Sequence, residues 1–131
     1  MQEITTLTSS LQRALQRLSE ALASQNKDIV IDAAIQRFEF SYELFWKWLK
    51  KLLFMREGIE AQSPKQVLQN AYMLGWISDE DLWLKMLQDR NLTSHTYQEK
   101  LAIEIFQHLP LYLEKMQSAY QNLQEKLLIK K

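Results

Sequence analysis

The chain has no cysteine, which excludes disulfide cross-links and thiolate chemistry and agrees with a reducing compartment. Two histidines without a cysteine are a poor ligand set for structural zinc. Glycine and proline number only two each in 131 residues, and a composition rich in Leu, Gln, Glu, Lys and Ala points to an all-α protein. No apolar run approaches the roughly 20 residues that span a bilayer. Met1 to Ser10 also lacks the charged-then-apolar layout of a secretory leader, so a soluble, cytoplasmic protein with no membrane partner is expected. Charge of one sign is missing too: sixteen basic and sixteen acidic side chains cancel. That balance argues against a broad nucleic-acid-coating surface, but not against a local cleft completed by a partner or a second subunit.

What is present reads as one domain over residues 1–131, without repeat, low-complexity tract or linker. Ile4, Leu7, Leu11, Leu15, Leu18 and Leu22 recur at steps of three and four, predicting an amphipathic first helix from about Gln2 to Ser24. A second helix, about Asp28 to Glu57, carries Asp32, Gln36, Glu39, Glu43, Lys47 and Lys50 as one solvent-facing strip, with Glu43 and Lys47 spaced for a weak ion pair. The rest of its circumference is aromatic and aliphatic, so it is buried on most sides. Gly58 ends it, and Ser63-Pro64-Lys65-Gln66 opens a short helix that Gly75 stops. Ser78-Asp79-Glu80-Asp81 opens a helix that delivers Arg90 near its end, and a final helix runs from about Tyr97 to Leu128, kinked at Pro110. His108, beside that proline, reads as a helix-surface residue. The architecture expected is an antiparallel up-and-down four-helix bundle with its third rod interrupted. The aromatic surplus of the second helix further predicts a homodimer.

Chemistry concentrates in Arg90-Asn91-Leu92-Thr93-Ser94-His95-Thr96-Tyr97, where a guanidinium, an imidazole and a phenol fall within eight residues. Histidine is the usual acid or base near neutral pH, and arginine supplies a fixed charge for phosphate, a pair suited to phosphodiester chemistry without a metal or cofactor. Five residues of unbroken helix would turn Arg90 and His95 about 140° apart. They converge only if the backbone bends between them or a second copy contributes. Asn91, Thr93 and Ser94 favour such a bend, and Thr96 to Glu99 fits a capping box that would set His95 just ahead of a helix N-terminus. Arg37 interrupts the polar rhythm of the second helix on the side of Phe40, Leu44 and Trp48. Its stem either snorkels to a surface carboxylate or lines the same cleft as Arg90.

The run RNLTSHTY resembles the R-x4-H-x-Y signature of the HEPN superfamily, in its HepT-like, nucleotidyltransferase substrate-binding branch. Gln36 to Lys47, QRFEFSYELFWK, is similar to a second recurrent block of that family. The resemblance covers about Arg37 to Ile105. It implies a toxin of a toxin–antitoxin pair, a metal-independent RNase in which two such motifs face each other across a dimer cleft. Arg90 and His95 would be catalytic, Asn91 and Thr93 would add hydrogen bonds, and Tyr97 would be adenylylated by a cognate minimal nucleotidyltransferase antitoxin. The family's older name implies a different role, a non-catalytic subunit presenting nucleotide or substrate to such a transferase; a plain interaction bundle is a third. The chain lacks the P-loop and paired metal-binding carboxylates of a transferase itself, and no DNA partner is implied.

Overall fold

The computed structural model describes residues 2–24 and 27–129. Met1, the pair Gln25 and Asn26 between the first two predicted helices, and Lys130 and Lys131 lie outside the described residues. The chain forms α1 (Gln2–Ala23), α2 (Lys27–Glu57), α3 (Pro64–Met73), α4 (Glu80–Leu92) and α5 (Glu99–Leu123). A 3-10 turn at Thr93–His95 and a π-helical turn at Gln124–Ile129 complete it. Among the described residues there is no strand. None of the helices there is long and apolar enough to cross a membrane.

Helix α2 is the axis on which the others pack: α1, α3, α4 and α5 all lie against it. Its sequence explains why. Phe38, Tyr42, Phe45, Trp48, Leu49, Leu52 and Leu53 point to more than one side of the rod, and all are buried. A helix apolar on most of its circumference is stable in water only when neighbours cover it. Helix α1 runs antiparallel to α2, since Arg17 lies beside Arg37, Thr8 beside Trp48 and Glu3 beside Lys51. Helix α5 runs parallel to α2, with ring centroids 5.5 Å apart for Phe38 and Tyr112 and 5.3 Å for Trp48 and Tyr120. Helix α4 returns antiparallel, placing Trp83 on Phe45 and Arg90 on Glu43.

Local chemistry sets the breaks. At the start of α3 the Ser63 hydroxyl accepts the Gln66 N–H at 3.2 Å, while Gln66 Oε1 accepts the Gln62 N–H at 2.7 Å. Gly75, at φ 74°, ends this rod: its N–H reaches the Tyr72 carbonyl and that of Trp76 reaches Ala71, a Schellman closure that needs a left-handed residue. Two predicted caps are corrected. Asp79, not Ser78, is the N-cap of α4, and it takes a left-handed backbone that aspartate tolerates. The Thr96–Glu99 capping box does not form: the Thr96 hydroxyl donates to the Thr93 carbonyl at 2.9 Å, so α5 opens two residues later than predicted, at Glu99, without a side-chain cap. Pro110 sits on the exposed face of α5, which continues past it to Leu123.

Burial separates two neighbouring aromatics on α2. Phe38→Ala is expected to cost about 3–5 kcal/mol, through lost transfer energy and the cavity left behind. Phe40→Ala, with 55% of its surface exposed, should stay within about 0.5 kcal/mol. Urea unfolding of the two variants measures both, and equal losses would refute the placement of α2.

Candidate functional site

The end of α4 and the turn after it carry the candidate chemistry. Arg90 lies in the last turn of α4, where its charge complements the helix dipole, and its NH2 group donates to Glu43 Oε1 of α2 at 2.6 Å. The second carboxylate oxygen of Glu43 accepts the indole N–H of Trp46 at 2.9 Å. Glu43 is therefore not part of the solvent strip predicted for it: with both oxygens engaged it is a half-buried anchor, and among the described residues no ion pair with Lys47 forms. Of the remaining strip, Asp32, Gln36, Lys47 and Lys50 are exposed and Glu39 is half-buried. Arg90 Nε is buried without a partner among the described residues, while the side chain as a whole is 31% exposed.

Beyond Arg90 the helix tightens. Thr93 is buried, and its hydroxyl donates to the Arg90 carbonyl at 2.7 Å; the Thr96 hydroxyl repeats the pattern one turn on. These bonds give the chain an alternative to continuing the α-helix and turn it over a 3-10 segment ending at His95. Thr93 thus serves the turn from the inside, whereas Asn91 is exposed. His95 is also exposed, its ring edge-on to Tyr97 at a centroid distance of 6.3 Å. Tyr97 is 79% exposed and stands in the turn before α5 rather than on its first helical turn. Within one chain no hydrogen bond or ring contact joins Arg90 to His95. They occupy the two ends of one short turn, one braced against α2 and the other facing outward.

Among the described residues Arg37 forms no ion pair with a carboxylate and no hydrogen bond to Arg90. It donates to the Arg17 carbonyl at 2.8 Å and lines a groove of about 500 Å³ between α1 and α2, with Arg13, Arg17, Phe40 and Leu44. The aromatic surplus of α2 is largely spent within the chain on Phe38, Tyr42, Phe45 and Trp48, which leaves Phe40 and Phe54 exposed on that helix.

A second polar cluster escaped the sequence. His108 is not a plain surface residue: its Nδ1 lies 2.8 Å from Asp89 Oδ2, and the same oxygen accepts the Tyr112 hydroxyl at 2.5 Å. Asp89 is only 7% exposed. Its neighbour in sequence, Arg90, faces α2 while Asp89 faces α5, so adjacent residues tie α4 to both long helices. The signal was the four-residue spacing of His108 and Tyr112, which stacks an imidazole and a phenol on one face of a helix. Burial first, and the Asp89 bond second, push the Tyr112 phenol well above the ordinary tyrosine range; burial does the same for Tyr42, whose hydroxyl points at the Trp83 carbonyl. Among the described residues no group of three or more His, Asp or Glu is gathered as a metal site.

An all-helical chain carrying an Arg–His–Tyr turn, braced from a central helix, defines the class, and the comparisons give the family. Residues 6–125 match the model of the family described as nucleotidyltransferase substrate binding protein like, and the chain belongs to that family. It is 35% identical over 91 residues to a Haemophilus influenzae protein named probable ribonuclease HepT, a match covering 66% of this chain and 62% of that protein. A crystal structure from Thermus thermophilus is similar at 41% identity with a TM-score of 0.82, over 86% of this chain and 98% of that one. A second structure, from Haemophilus influenzae, at 26% identity and TM-score 0.68 over 94% and 98% of the two chains, is described as revealing the fold of a substrate binding domain of a nucleotidyltransferase.

Two measurements follow from this geometry. Glu43→Ala strands a half-buried guanidinium and is expected to cost about 1–3 kcal/mol. A double-mutant cycle with Arg90→Ala should return a coupling of about 1 kcal/mol, and a coupling of zero would mean the pair is incidental. For Tyr112 the folded phenol ionises later than the unfolded one, so its stabilising share is complete below the free tyrosine value of about 10 and is lost as pH climbs past it. Melting temperature should fall above about pH 10, and Tyr112→Phe should flatten that fall; an unchanged slope would reject the assignment.

Proposed function

We propose that this chain is a HepT-like toxin, a cytoplasmic ribonuclease that acts as a homodimeric four-helix bundle and needs no metal. The observation that carries the reading is the turn itself. Arg90 is braced by Glu43 with part of its side chain exposed, while His95 and Tyr97 stand exposed a few residues away. A second copy facing this turn would bring two arginines and two imidazoles to one phosphate-sized cleft. One His95 takes the proton of a ribose 2′-hydroxyl, whose oxygen attacks the adjacent phosphorus. The imidazole of the other copy protonates the departing 5′-oxygen, and the product carries a 2′,3′-cyclic phosphate. Arg90 stabilises charge on the phosphoryl oxygens, and Asn91 is placed to add a hydrogen bond.

Tyr97 is the regulatory half of the proposal. A partner nucleotidyltransferase transfers AMP from ATP to the exposed phenol with loss of pyrophosphate. This sets negative charge beside the cleft and obstructs it. The relative named as a ribonuclease and the family match support the reading, and near-zero net charge is met by a local cleft rather than a basic surface.

The alternative, a non-catalytic subunit that holds nucleotide for a separate transferase, is favoured by the description given to the 26% identical structure. Cleavage separates the two. His95→Ala is expected to lower RNA cleavage by about 100- to 10,000-fold without moving the melting temperature. RNA cut equally fast by His95→Ala, or left intact by the unsubstituted protein, would favour the binding subunit. Intact-mass analysis after co-expression with the partner should show adenylyl adducts that Tyr97→Phe abolishes, and adducts that persist would remove Tyr97 from the account.

A further inference from the structure

The groove between α1 and α2 has a composition that the rest of the molecule lacks. Arg13, Arg17 and Arg37 line it together with Ser10, Gln36 and the exposed ring of Phe40, and no carboxylate is among its lining residues. In a protein whose charges balance, three guanidiniums here have no ion-pair partner: the ion pairs among the described residues involve Lys51, Arg90 and His108. Arg13 and Arg17 stand four residues apart on one face of α1, a spacing at which like charges repel. Arg37 is drawn to the same place, its guanidinium held by the Arg17 carbonyl at 2.8 Å. An arrangement that concentrates uncompensated charge beside an exposed aromatic ring disfavours the free protein and favours an anionic occupant with flat apolar faces.

We propose that this groove binds single-stranded RNA outside the cleavage cleft, with the three arginines on phosphate oxygens and Phe40 stacked against an unpaired base. Basic grooves with interleaved aromatics hold single strands in this way, because every base offers a π-face whatever its sequence. The choice of RNA over other polyanions rests on the ribonuclease reading; the groove itself rests on its lining. Leu44 lines the groove, and its neighbour Glu43 is the residue that braces Arg90, so a strand leaving the groove across α2 arrives beside the proposed cleft. The groove would supply affinity that the small cleft cannot.

Fluorescence anisotropy of a labelled oligoadenylate, with the full chain carrying His95→Ala to silence cleavage, tests the proposal over a series of salt concentrations. Adding Arg13→Gln, Arg17→Gln and Arg37→Gln together should weaken Kd at least tenfold and reduce the slope of log Kd against log salt by about two, as expected for three lost phosphate contacts on a single strand. Arg13→Gln with Arg17→Gln, both on exposed side chains, keeps the test independent of any folding defect from Arg37 and should reduce the slope by about 1.4. Phe40→Ala should weaken Kd by about fivefold or more and leave the slope unchanged. Unchanged affinity and slope in the arginine variants would overturn the proposal. So would a polyglutamate that competes as well as RNA while Phe40→Ala has no effect, which would make the groove a protein-docking surface. Cleavage by the unsubstituted protein decides the ribonuclease reading separately: tight groove-dependent binding without cleavage keeps this site and discards that activity.

Discussion

The burial of α2 is the constraint from which the rest follows. A helix with apolar groups on most of its circumference cannot stand alone in water, and each of the other four helices supplies a part of its cover. Two of the charged residues on α2 reach its neighbours from the edge of that apolar surface. Glu43 faces α4 and fixes the guanidinium of Arg90, while Arg37 faces α1 and joins two further arginines. The central rod therefore contacts both the helix that carries Arg90 and the cationic groove beside α1.

The turn after α4 shows how local hydrogen bonding becomes a presentation device. Thr93 and Thr96 spend their hydroxyls on carbonyls three residues back, which tightens the chain into a 3-10 segment and prevents α4 and α5 from merging into one rod. On the inner side, Asp89 gathers His108 and Tyr112 of α5 and locks the two helices that flank the turn. On the outer side, His95 and Tyr97 are left in solvent. In the proposed reading, an exposed imidazole carried on a braced turn suits chemistry that a second copy completes.

Much of this was legible in the amino-acid order. The step of three and four in α1, the all-round apolar character of α2 and the glycines at 58 and 75 were sufficient to place the helices, because periodicity and left-handed caps are local properties. The break between Arg90 and His95 was also foreseen from Asn91, Thr93 and Ser94. Less legible were the contacts made across helices. Glu43 has the spacing of a surface residue along α2, and only the approach of α4 turns it into an anchor. Asp89 and His108 lie nineteen residues apart on different helices, and nothing within either helix shows that they meet. Thr96 had two hydrogen-bonding outcomes, a forward cap or a backward bond, and the tighter turn won.

In the proposed reading one chain carries half a site and a second copy completes it. Co-purified mixed dimers, in which one protomer is unsubstituted and the other carries His95→Ala, test it most directly, because cleavage across a shared cleft uses an imidazole from each copy. If the cleft is shared, the mixed dimer should cleave RNA at a rate close to that of the His95→Ala homodimer. A mixed dimer that keeps a sizeable fraction of the unsubstituted rate would contradict a shared cleft and confine the chemistry to a single chain.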